Sequence, residues 1–349
     1  INIPETWDRF GARGQGVDVA VLDTGVDESH PDIQVERWKD FEDATFDDGD
    51  DDSPSQTPKD YGDHGTHVSG TVVGGSNSGT HIGVAPEADL WHGAVLTECG
   101  SGGCGGSFAK ITEGIQWATD NNADVVSMSL GADGYYPSLI DPVQNARQAG
   151  TFPVASSGNN EVGTSSTPGN VYESVAVGAT NSDGNVAFYS SGETVDTSAD
   201  WESNAPSSWP ESYTGPDIAA QGSHRCSSLP GGDYGFKSGT SMAAPHVSGV
   251  AALVISNSET SLTPSEIEDS LETTAVDLNE DSTRQGNGQV DALAAVNTGA
   301  TTANFDVQVT SISDPVVEGE DIVVEYQIQN TREETGTQNI EFTVDGTVE

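Results

Sequence analysis

The chain has 349 residues, which is long enough for a large buried core and for more than one domain. It carries 56 Asp and Glu side chains against 11 Lys and Arg side chains, so its formal net charge is −45. The acidic residues are spread along the whole sequence rather than gathered in one tail. This distribution argues against nucleic-acid binding and against a disordered acidic tail.

The size of the charge predicts adaptation to concentrated salt. At about 1 M salt the Debye length is only about 3 Å, so repulsion between surface carboxylates is screened. At low salt the same charge would destabilise the compact fold. An ordinary acidic secreted protein is the alternative, but −45 is extreme for this length. We therefore expect a halophilic protein.

The first apolar segment ends in an aspartate. Residues 17–25 have the sequence VDVAVLDTG, which is typical of a buried parallel strand that carries Asp23 at its carboxyl end. Catalytic groups of open α/β sheets gather at such ends. Residues 63–70, DHGTHVSG, then place His64 at the start of a predicted helix of small residues, which can lie close to its neighbours.

Strands and helices alternate in the segments that follow. We predict strands at residues 88–95, 123–129, 151–155 and 174–177, and helices at residues 109–121 and 138–148. Thr263 and Glu266 have the spacing of a capping box, which predicts a further helix start. The alternation predicts a mostly parallel sheet with helices on both faces.

Ser241 stands among small residues, just before an apolar stretch at residues 247–255 that predicts a buried helix. A hydroxyl at a helix start lies beside unpaired N–H groups and the positive end of the helix dipole. Such a position stabilises both a nucleophilic oxygen and a developing oxyanion. The alternative is that Ser241 is only a helix N-cap.

Three segments in this order resemble the signatures of subtilases, the subtilisin-like serine peptidases. They are residues 23–25 (DTG), 64–67 (HGTH) and 239–245 (GTSMAAP). The resemblance implies that Ser241 attacks the scissile carbonyl, that His64 transfers the proton and that Asp23 orients the imidazole. It also implies that Asn159 and the backbone N–H of Ser241 bind the oxyanion. For His67 we expect a packing or hydrogen-bonding role.

The resemblance also implies a calcium ion and no organic cofactor. Residues 75–81 match a family calcium loop, with a side-chain oxygen from Asn77 and a carboxylate from Asp32. Three further ligands would be carbonyl oxygens, from Gly75, Gly79 and His81. Another family ligand would precede Ile1, so the site is incomplete if it forms, and a plain loop is the alternative. A second acidic run, residues 47–52, lacks the spacing of a calcium loop, and we expect it to be a solvated loop.

Residues 99–103 and 129–131 match the two edges along which subtilases bind an extended peptide. Residues 156–158 match part of the primary pocket, and no acidic residue stands out there, so we expect broad cleavage after apolar or aromatic residues.

Cys99 and Cys104 either form a small disulfide or remain thiols, as Cys226 would. Residues 193–214 are predicted to form an ordered surface insertion.

After about residue 300 the pattern consists of strands only. Apolar residues alternate at residues 305–309, 322–328 and 340–344, which resembles the start of an immunoglobulin-like sandwich. Such modules follow the catalytic domain in halolysin-type secreted proteases of haloarchaea. We therefore expect a peptidase domain at residues 1–300 and a truncated all-β module at residues 301–349.

The sequence thus predicts a monomeric, extracellular, halophilic serine endopeptidase. Its expected partners are protein and peptide substrates and its own propeptide, which, with a signal peptide, would precede Ile1 in a precursor. No segment is long and apolar enough to span a membrane. Two alternatives are an inactive subtilase-fold binding protein and a processing protease of limited specificity. The presence of all four matching residues argues against the first, and the lack of clustered acidic residues in the cleft argues against the second.

Overall fold

The computed structural model describes residues 1–42 and 57–299, together with the backbone of four strands at residues 305–312, 324–330, 343–344 and 347–348. The chain divides into two compact units, Ile1–Asn297 and Thr298–Glu349. The predicted domain boundary at residue 300 lies within three residues of this division. The acidic run at residues 47–52 lies outside the described residues.

Nineteen strands and nine α-helices are present among the described residues. The strands are β1 (Asp18–Asp23), β2 (Arg37–Asp40), β3 (Asp89–Ala94), β4 (Glu98–Gly100), β5 (Gly103–Gly105), β6 (Val125–Met128), β7 (Ala132–Asp133), β8 (Phe152–Ser156), β9 (Ser166–Thr167), β10 (Val175–Thr180), β11 (Glu193–Asp196), β12 (Ser212–Gly215), β13 (Ile218–Gln221), β14 (Arg225–Leu229), β15 (Asp233–Lys237), β16 (Phe305–Ile312), β17 (Val324–Asn330), β18 (Thr343–Val344) and β19 (Thr347–Val348). The helices are α1 (Ile3–Phe10), α2 (His64–Val73), α3 (Phe108–Asp120), α4 (Ile140–Ala149), α5 (Thr197–Asp200), α6 (Thr240–Asn257), α7 (Pro264–Glu272), α8 (Ser282–Gln285) and α9 (Ala292–Gly299).

Seven of these strands form one parallel sheet in the order β13-β10-β8-β6-β1-β3-β2. The predicted strands and helices are confirmed, with bounds that differ by a few residues. The predicted capping box is also confirmed, because Thr263 and Glu266 exchange hydrogen bonds at the start of α7. Helix α4 is preceded by a short 3-10 turn at Pro137–Leu139, where the sequence predicted one continuous helix.

The central strand β1 contributes side chains to two hydrophobic cores. Val19 and Val21 belong to a core that includes residues of α1, α2, α6 and α7, and Ala20 and Leu22 belong to a core that includes residues of α3 and α4. This alternation follows from the two-residue period of a strand, whose successive side chains point to opposite faces. The prediction of a parallel sheet with helices on both faces is therefore confirmed.

The insertion at residues 193–214 is ordered. It forms the antiparallel pair β11–β12 and helix α5, and Trp201 and Trp209 are buried within it. The indole of Trp201 donates a hydrogen bond to the Tyr213 hydroxyl at 2.8 Å. Because both tryptophans belong to the core that α3 and α4 share, the insertion extends that core instead of standing free in solvent.

Cys99 and Cys104 pair across the hairpin β4–β5 and form a disulfide, which settles the two alternatives left open by the sequence. Cys226 is an exposed free thiol. In the second unit, β16 pairs with β17 and β18 pairs with β19, both antiparallel. Residues 340–342 of the third predicted strand are not described. Within residues 1–42 and 57–299, no helix has the length and hydropathy needed to cross a bilayer.

Candidate active site

The candidate residues gather at the carboxyl edge of the sheet, as predicted. Asp23 is the last residue of β1, Ser129 directly follows β6, and Asn159 lies three residues beyond the end of β8. The chain adds β3 on one side of β1 and β6 on the other, so the strand order reverses between β1 and β6. Open α/β sheets form their functional crevices at such a reversal.

His64, the first residue of α2, is paired with Asp23. Its Nδ1 lies 2.7 Å from Asp23 Oδ1, and the same oxygen accepts a hydrogen bond from the backbone N–H of Thr24 at 2.7 Å. The carboxylate accepts, so Nδ1 carries the proton, and in the neutral ring Nε2 then has a free lone pair. Asp23 is fully buried, whereas 28% of the His64 side chain is exposed. The geometry thus holds the imidazole by one nitrogen and leaves the other available as a base.

Burial and charge act in opposite directions on His64. Burial lowers the pKa of the imidazole, but attraction to the Asp23 carboxylate and the hydrogen bond from Nδ1 raise it by more, so the pKa lies above the usual 6.5. Lys237 opposes this rise slightly. Its ammonium lies 2.7 Å from Oδ1 of Asp63, the residue before His64. Asp23 therefore stabilises the charged form of the ring that arises when the ring accepts a proton.

Ser241 is the second residue of α6, and Gly239 is the N-cap. The alternative that Ser241 serves only as an N-cap is therefore wrong. Its hydroxyl donates to the Ser129 carbonyl at 3.2 Å, and the Ser129 hydroxyl donates to the Ser241 carbonyl at 2.7 Å. This reciprocal pair fixes the start of α6 against the end of β6. At 3.2 Å the bond from the Ser241 hydroxyl is long for an O–H···O contact, so the hydroxyl can change partner easily.

The Asn159 side chain is oriented by the first residue of the same helix. Its Oδ1 accepts hydrogen bonds from the backbone N–H and the hydroxyl of Thr240, at 2.9 Å and 3.2 Å. These bonds hold the oxygen end of the amide. The Nδ2 end has no partner within residues 1–42 and 57–299, so it is free to donate. Thr240 was not singled out from the sequence, because nothing in its neighbours indicates that it orients a distant amide.

Helix α2 lies against the turn that follows β1 at very short distance. A Cβ atom on Gly65 would be 2.0 Å from the Gly25 carbonyl oxygen, and one on Gly25 would be 1.9 Å from the Lys59 carbonyl oxygen. Asp60 adds a hydrogen-bonded link, because its carboxylate accepts from the hydroxyls of Thr24 and Thr66 at 2.6 Å each. The sequence predicted the close approach from the small residues but not the role of Asp60.

His67 and His246 take structural positions, as expected for His67. The Nε2–H of His67 donates to the carbonyls of Arg225 and Gly235, and Nδ1–H of His246 donates to the Met242 carbonyl. Burial lowers the pKa of each ring to about 4, so both are neutral at neutral pH. Neither ring therefore adds a positive charge to the candidate site.

The two side chains predicted to bind calcium, Asp32 and Asn77, are hydrogen-bonded to each other. Asp32 Oδ1 accepts hydrogen bonds from the backbone and side-chain amides of Asn77, at 2.6 and 2.7 Å, and Oδ2 accepts from the Tyr234 hydroxyl at 2.6 Å. Asn77 thus turns the nitrogen of its amide toward the carboxylate, while the His81 ring packs edge-on against Trp7. Within the described ranges, no three His, Cys, Asp or Glu side chains cluster to hold a metal. These contacts support the plain-loop alternative, and the calcium site stays a prediction.

A buried carboxylate paired with an imidazole, at the sheet edge where a helix with a serine in its first turn begins, is typical of hydrolases of the nucleophilic serine class. Residues 14–288 match the model of the subtilase family, Peptidase_S8. Subtilisin amylosacchariticus of Bacillus subtilis subsp. amylosacchariticus is 38% identical over 292 residues, covering 82% of this chain and 67% of that protein. Subtilisin of Bacillus pumilus is 37% identical and covers 82% and 92%, respectively. An intracellular serine protease of Paenibacillus polymyxa is 35% identical and covers 82% of both chains.

The chain belongs to the subtilase family and is a subtilisin-like serine endopeptidase. Its first unit has the α/β architecture expected of the family, with a parallel central sheet. The roles of the individual site residues stay predictions.

Changing Asp23 to Asn should lower the pKa of His64. Asparagine keeps the shape but removes the charge that raises the pKa, so burial dominates. Because the wild-type pKa is raised, protonation of His64 stabilises the fold below pH 6.5, and this contribution is lost as the pH rises through the folded-state value. An NMR titration of the His64 ring at fixed high salt measures the shift. Asp124→Asn, which alters a carboxylate at the opposite edge of the sheet, is the control. An unchanged His64 pKa in Asp23→Asn would contradict the assigned pairing.

Removing calcium should leave the melting temperature unchanged if hydrogen bonds alone hold the loop at residues 75–81. Melting curves with and without a chelator, at one high salt concentration, measure this. Asn77→Ala, which removes two of the hydrogen bonds from the side chain, should lower the melting temperature in both conditions. A drop caused by the chelator in the wild-type protein would instead support the calcium prediction.

Proposed function

We propose that this chain is a secreted, halophilic endopeptidase that cleaves proteins through Ser241, His64, Asp23 and Asn159. One observation carries the proposal: the 2.7 Å contact between His64 Nδ1 and Asp23 Oδ1 lies at the sheet edge where α6 begins. A base held by a buried carboxylate beside a helix-start serine is the arrangement that activates a hydroxyl. Family membership supports the same chemistry.

In the first step the Ser241 hydroxyl exchanges the Ser129 carbonyl for His64 Nε2. The oxygen attacks the scissile carbonyl, and its proton passes to Nε2. The imidazolium then gives that proton to the leaving amine, and an acyl-enzyme remains on Ser241. Water repeats the sequence to release the acid. Asp23 acts throughout by holding Nδ1–H and by stabilising the charged ring.

The carbonyl oxygen that becomes negative would be bound by Asn159 Nδ2 and the backbone N–H of Ser241. The hydrogen bonds from Thr240 to Asn159 Oδ1 aim the amide without help from substrate. Donors that are already oriented need no reorganisation during the reaction. The loss of one such donor costs about 3–4 kcal/mol of transition-state stabilisation, a figure derived from subtilisin. The N-terminal end of α6 adds a favourable dipole at the same place.

We also propose that the protein works outside the cell in strong salt. The Cys99–Cys104 disulfide supports an oxidising compartment, since such bonds are rare in reducing cytosols. The charge of −45 supports screening by salt as a condition for folding. The predicted propeptide and signal peptide, the monomeric state and the broad specificity belong to this proposal. So does an immunoglobulin-like module after residue 300, for which the antiparallel pair β16–β17 is the support.

A fluorophosphonate probe should label Ser241 in high salt. The activated hydroxyl attacks phosphorus as it would attack a carbonyl, and mass spectrometry of the digested protein locates the adduct. Ser241→Ala should abolish labelling. Ser238→Ala, three residues earlier and exposed, should keep it. Folded wild-type protein that is neither labelled nor able to cleave casein would overturn the catalytic proposal and favour the binding-protein alternative.

Activity and tertiary structure should both depend on salt. We expect full casein cleavage and a native near-UV circular dichroism spectrum in about 3 M NaCl, and loss of both in about 0.1 M NaCl, where the Debye length reaches about 10 Å. Return to high salt should restore the spectrum if repulsion alone drives unfolding. Equal activity and equal spectra in both conditions would refute the halophilic assignment.

A further inference from the structure

His92 is a fully buried histidine in the middle of strand β3 for which the reaction described above has no role. It pairs in register with Val21 of β1, and its ring is stacked on Trp38 of β2, with centroids 6.0 Å apart and an interplanar angle of 26°. A buried imidazole is costly unless its two nitrogens find partners. Both nitrogens of His92 have one.

The partners fix the proton on one nitrogen. The backbone N–H of Gly25 donates to Nε2 at 3.1 Å, so Nε2 must be the acceptor. The other nitrogen, Nδ1, lies 2.9 Å from the Ser69 hydroxyl and therefore carries the proton that it donates. Burial lowers the pKa of His92 to about 4, although the nearby Asp23 charge opposes this, so the ring is neutral at neutral pH.

These two partners belong to the two segments that carry the base and its orienting carboxylate. Gly25 lies two residues after Asp23, in the turn that leaves β1, and Ser69 lies five residues after His64 in α2. The ring of His92 therefore links the turn to the helix through Gly25 and Ser69. The hydrogen bond between Asp23 and His64 is a second link between the same two segments. Both segments are fixed to the same rigid strand.

The Asp23 carboxylate is linked to this turn by a hydrogen bond. Its Oδ1 accepts from His64 and from the Thr24 N–H, whereas Oδ2 is buried and has no hydrogen-bond partner among the residues that the structure describes. Among the described residues, the carboxylate is thus hydrogen-bonded through one oxygen only, and one of the two donors is the first residue of the turn. A shift of the turn by a fraction of an ångström would lengthen the 2.7 Å bond to His64.

We propose that His92 is a positioning residue, which holds the turn after Asp23 and the helix of His64 at the separation needed for their hydrogen bond. The inference rests on the proposed function, because it assigns His92 a purpose in the same reaction. His92 touches neither substrate nor the reacting atoms. It acts by fixing Gly25 N–H and the Ser69 hydroxyl at the two ends of one planar ring.

The test compares His92→Ala, His92→Gln and Ser69→Ala with the wild-type protein in high salt. We expect His92→Ala to lower kcat about 10- to 100-fold, as misplaced catalytic groups do, with KM changed less than about twofold. His92→Gln should recover much of kcat, because its amide can accept from Gly25 and donate to Ser69. Ser69→Ala removes one neutral hydrogen bond and should cost about two- to tenfold.

A second measurement separates positioning from stability. The proton of His64 Nδ1 in its short hydrogen bond to Asp23 gives a downfield NMR signal, which should shift or broaden in His92→Ala and Ser69→Ala. The control is Thr151→Val, which removes a buried hydrogen bond to the Ala123 carbonyl at the opposite edge of the sheet. It should lower the melting temperature while leaving kcat and the His64 signal unchanged.

The outcomes distinguish this inference from the proposed function. If the wild-type protein neither cleaves casein nor reacts with fluorophosphonate, the proposed function fails. If the wild-type protein is active, but Ser69→Ala keeps its kcat and its His64 signal and His92→Ala merely melts earlier, as Thr151→Val does, then His92 is only structural and the inference is overturned. If His92→Ala does not fold, a lower kcat and a moved signal in Ser69→Ala support the inference, and wild-type values there refute it.

Discussion

The hydrogen bond between His64 and Asp23 is the constraint on which the rest of the site depends. It joins the last residue of a central strand to the first residue of a helix, and it does so around a fully buried carboxylate. A buried charge is unfavourable unless it is paired. The surrounding packing must therefore bring α2 to one defined place relative to β1. Three features hold α2 close to the turn after β1: the glycines at positions 25 and 65, the hydrogen bonds of Asp60, and those of His92.

The second half of the site is built on helix α6. This helix packs against β6, β8, β10 and β13, and Ser248, two turns after Ser241, donates a hydrogen bond to the Ser127 hydroxyl of β6. Ser241 is thus fixed to the strand next to β1, and Asn159 is fixed to Thr240 at the same helix end. The two halves meet because β1 and β6 are neighbours in the sheet, although Asp23 and Ser241 are far apart in the chain.

Much of this arrangement was predictable from sequence, because strand ends and helix starts leave strong local signals. The alternation of apolar segments gave the parallel sheet, and the small residues around His64 and Ser241 indicated close packing. The hydrogen bonds of Asp60, Thr240 and His92 were not predictable, since each joins segments that only the fold brings together. The calcium ligands stay a prediction, because the sequence does not show which other groups the fold brings to Asp32. One such group is the hydroxyl of Tyr234, which lies on a hairpin distant in sequence and donates a hydrogen bond to Asp32.

The start of α6 and Asn159 together are proposed to form a site for a negatively charged oxygen beside Ser241. A crystal structure of the protein inactivated by a fluorophosphonate in high salt tests it most directly. We predict a bond from Ser241 Oγ to phosphorus, with the phosphoryl oxygen accepting hydrogen bonds from Asn159 Nδ2 and the Ser241 N–H. An adduct on another residue, or a phosphoryl oxygen directed away from both donors, would rule out this oxyanion site.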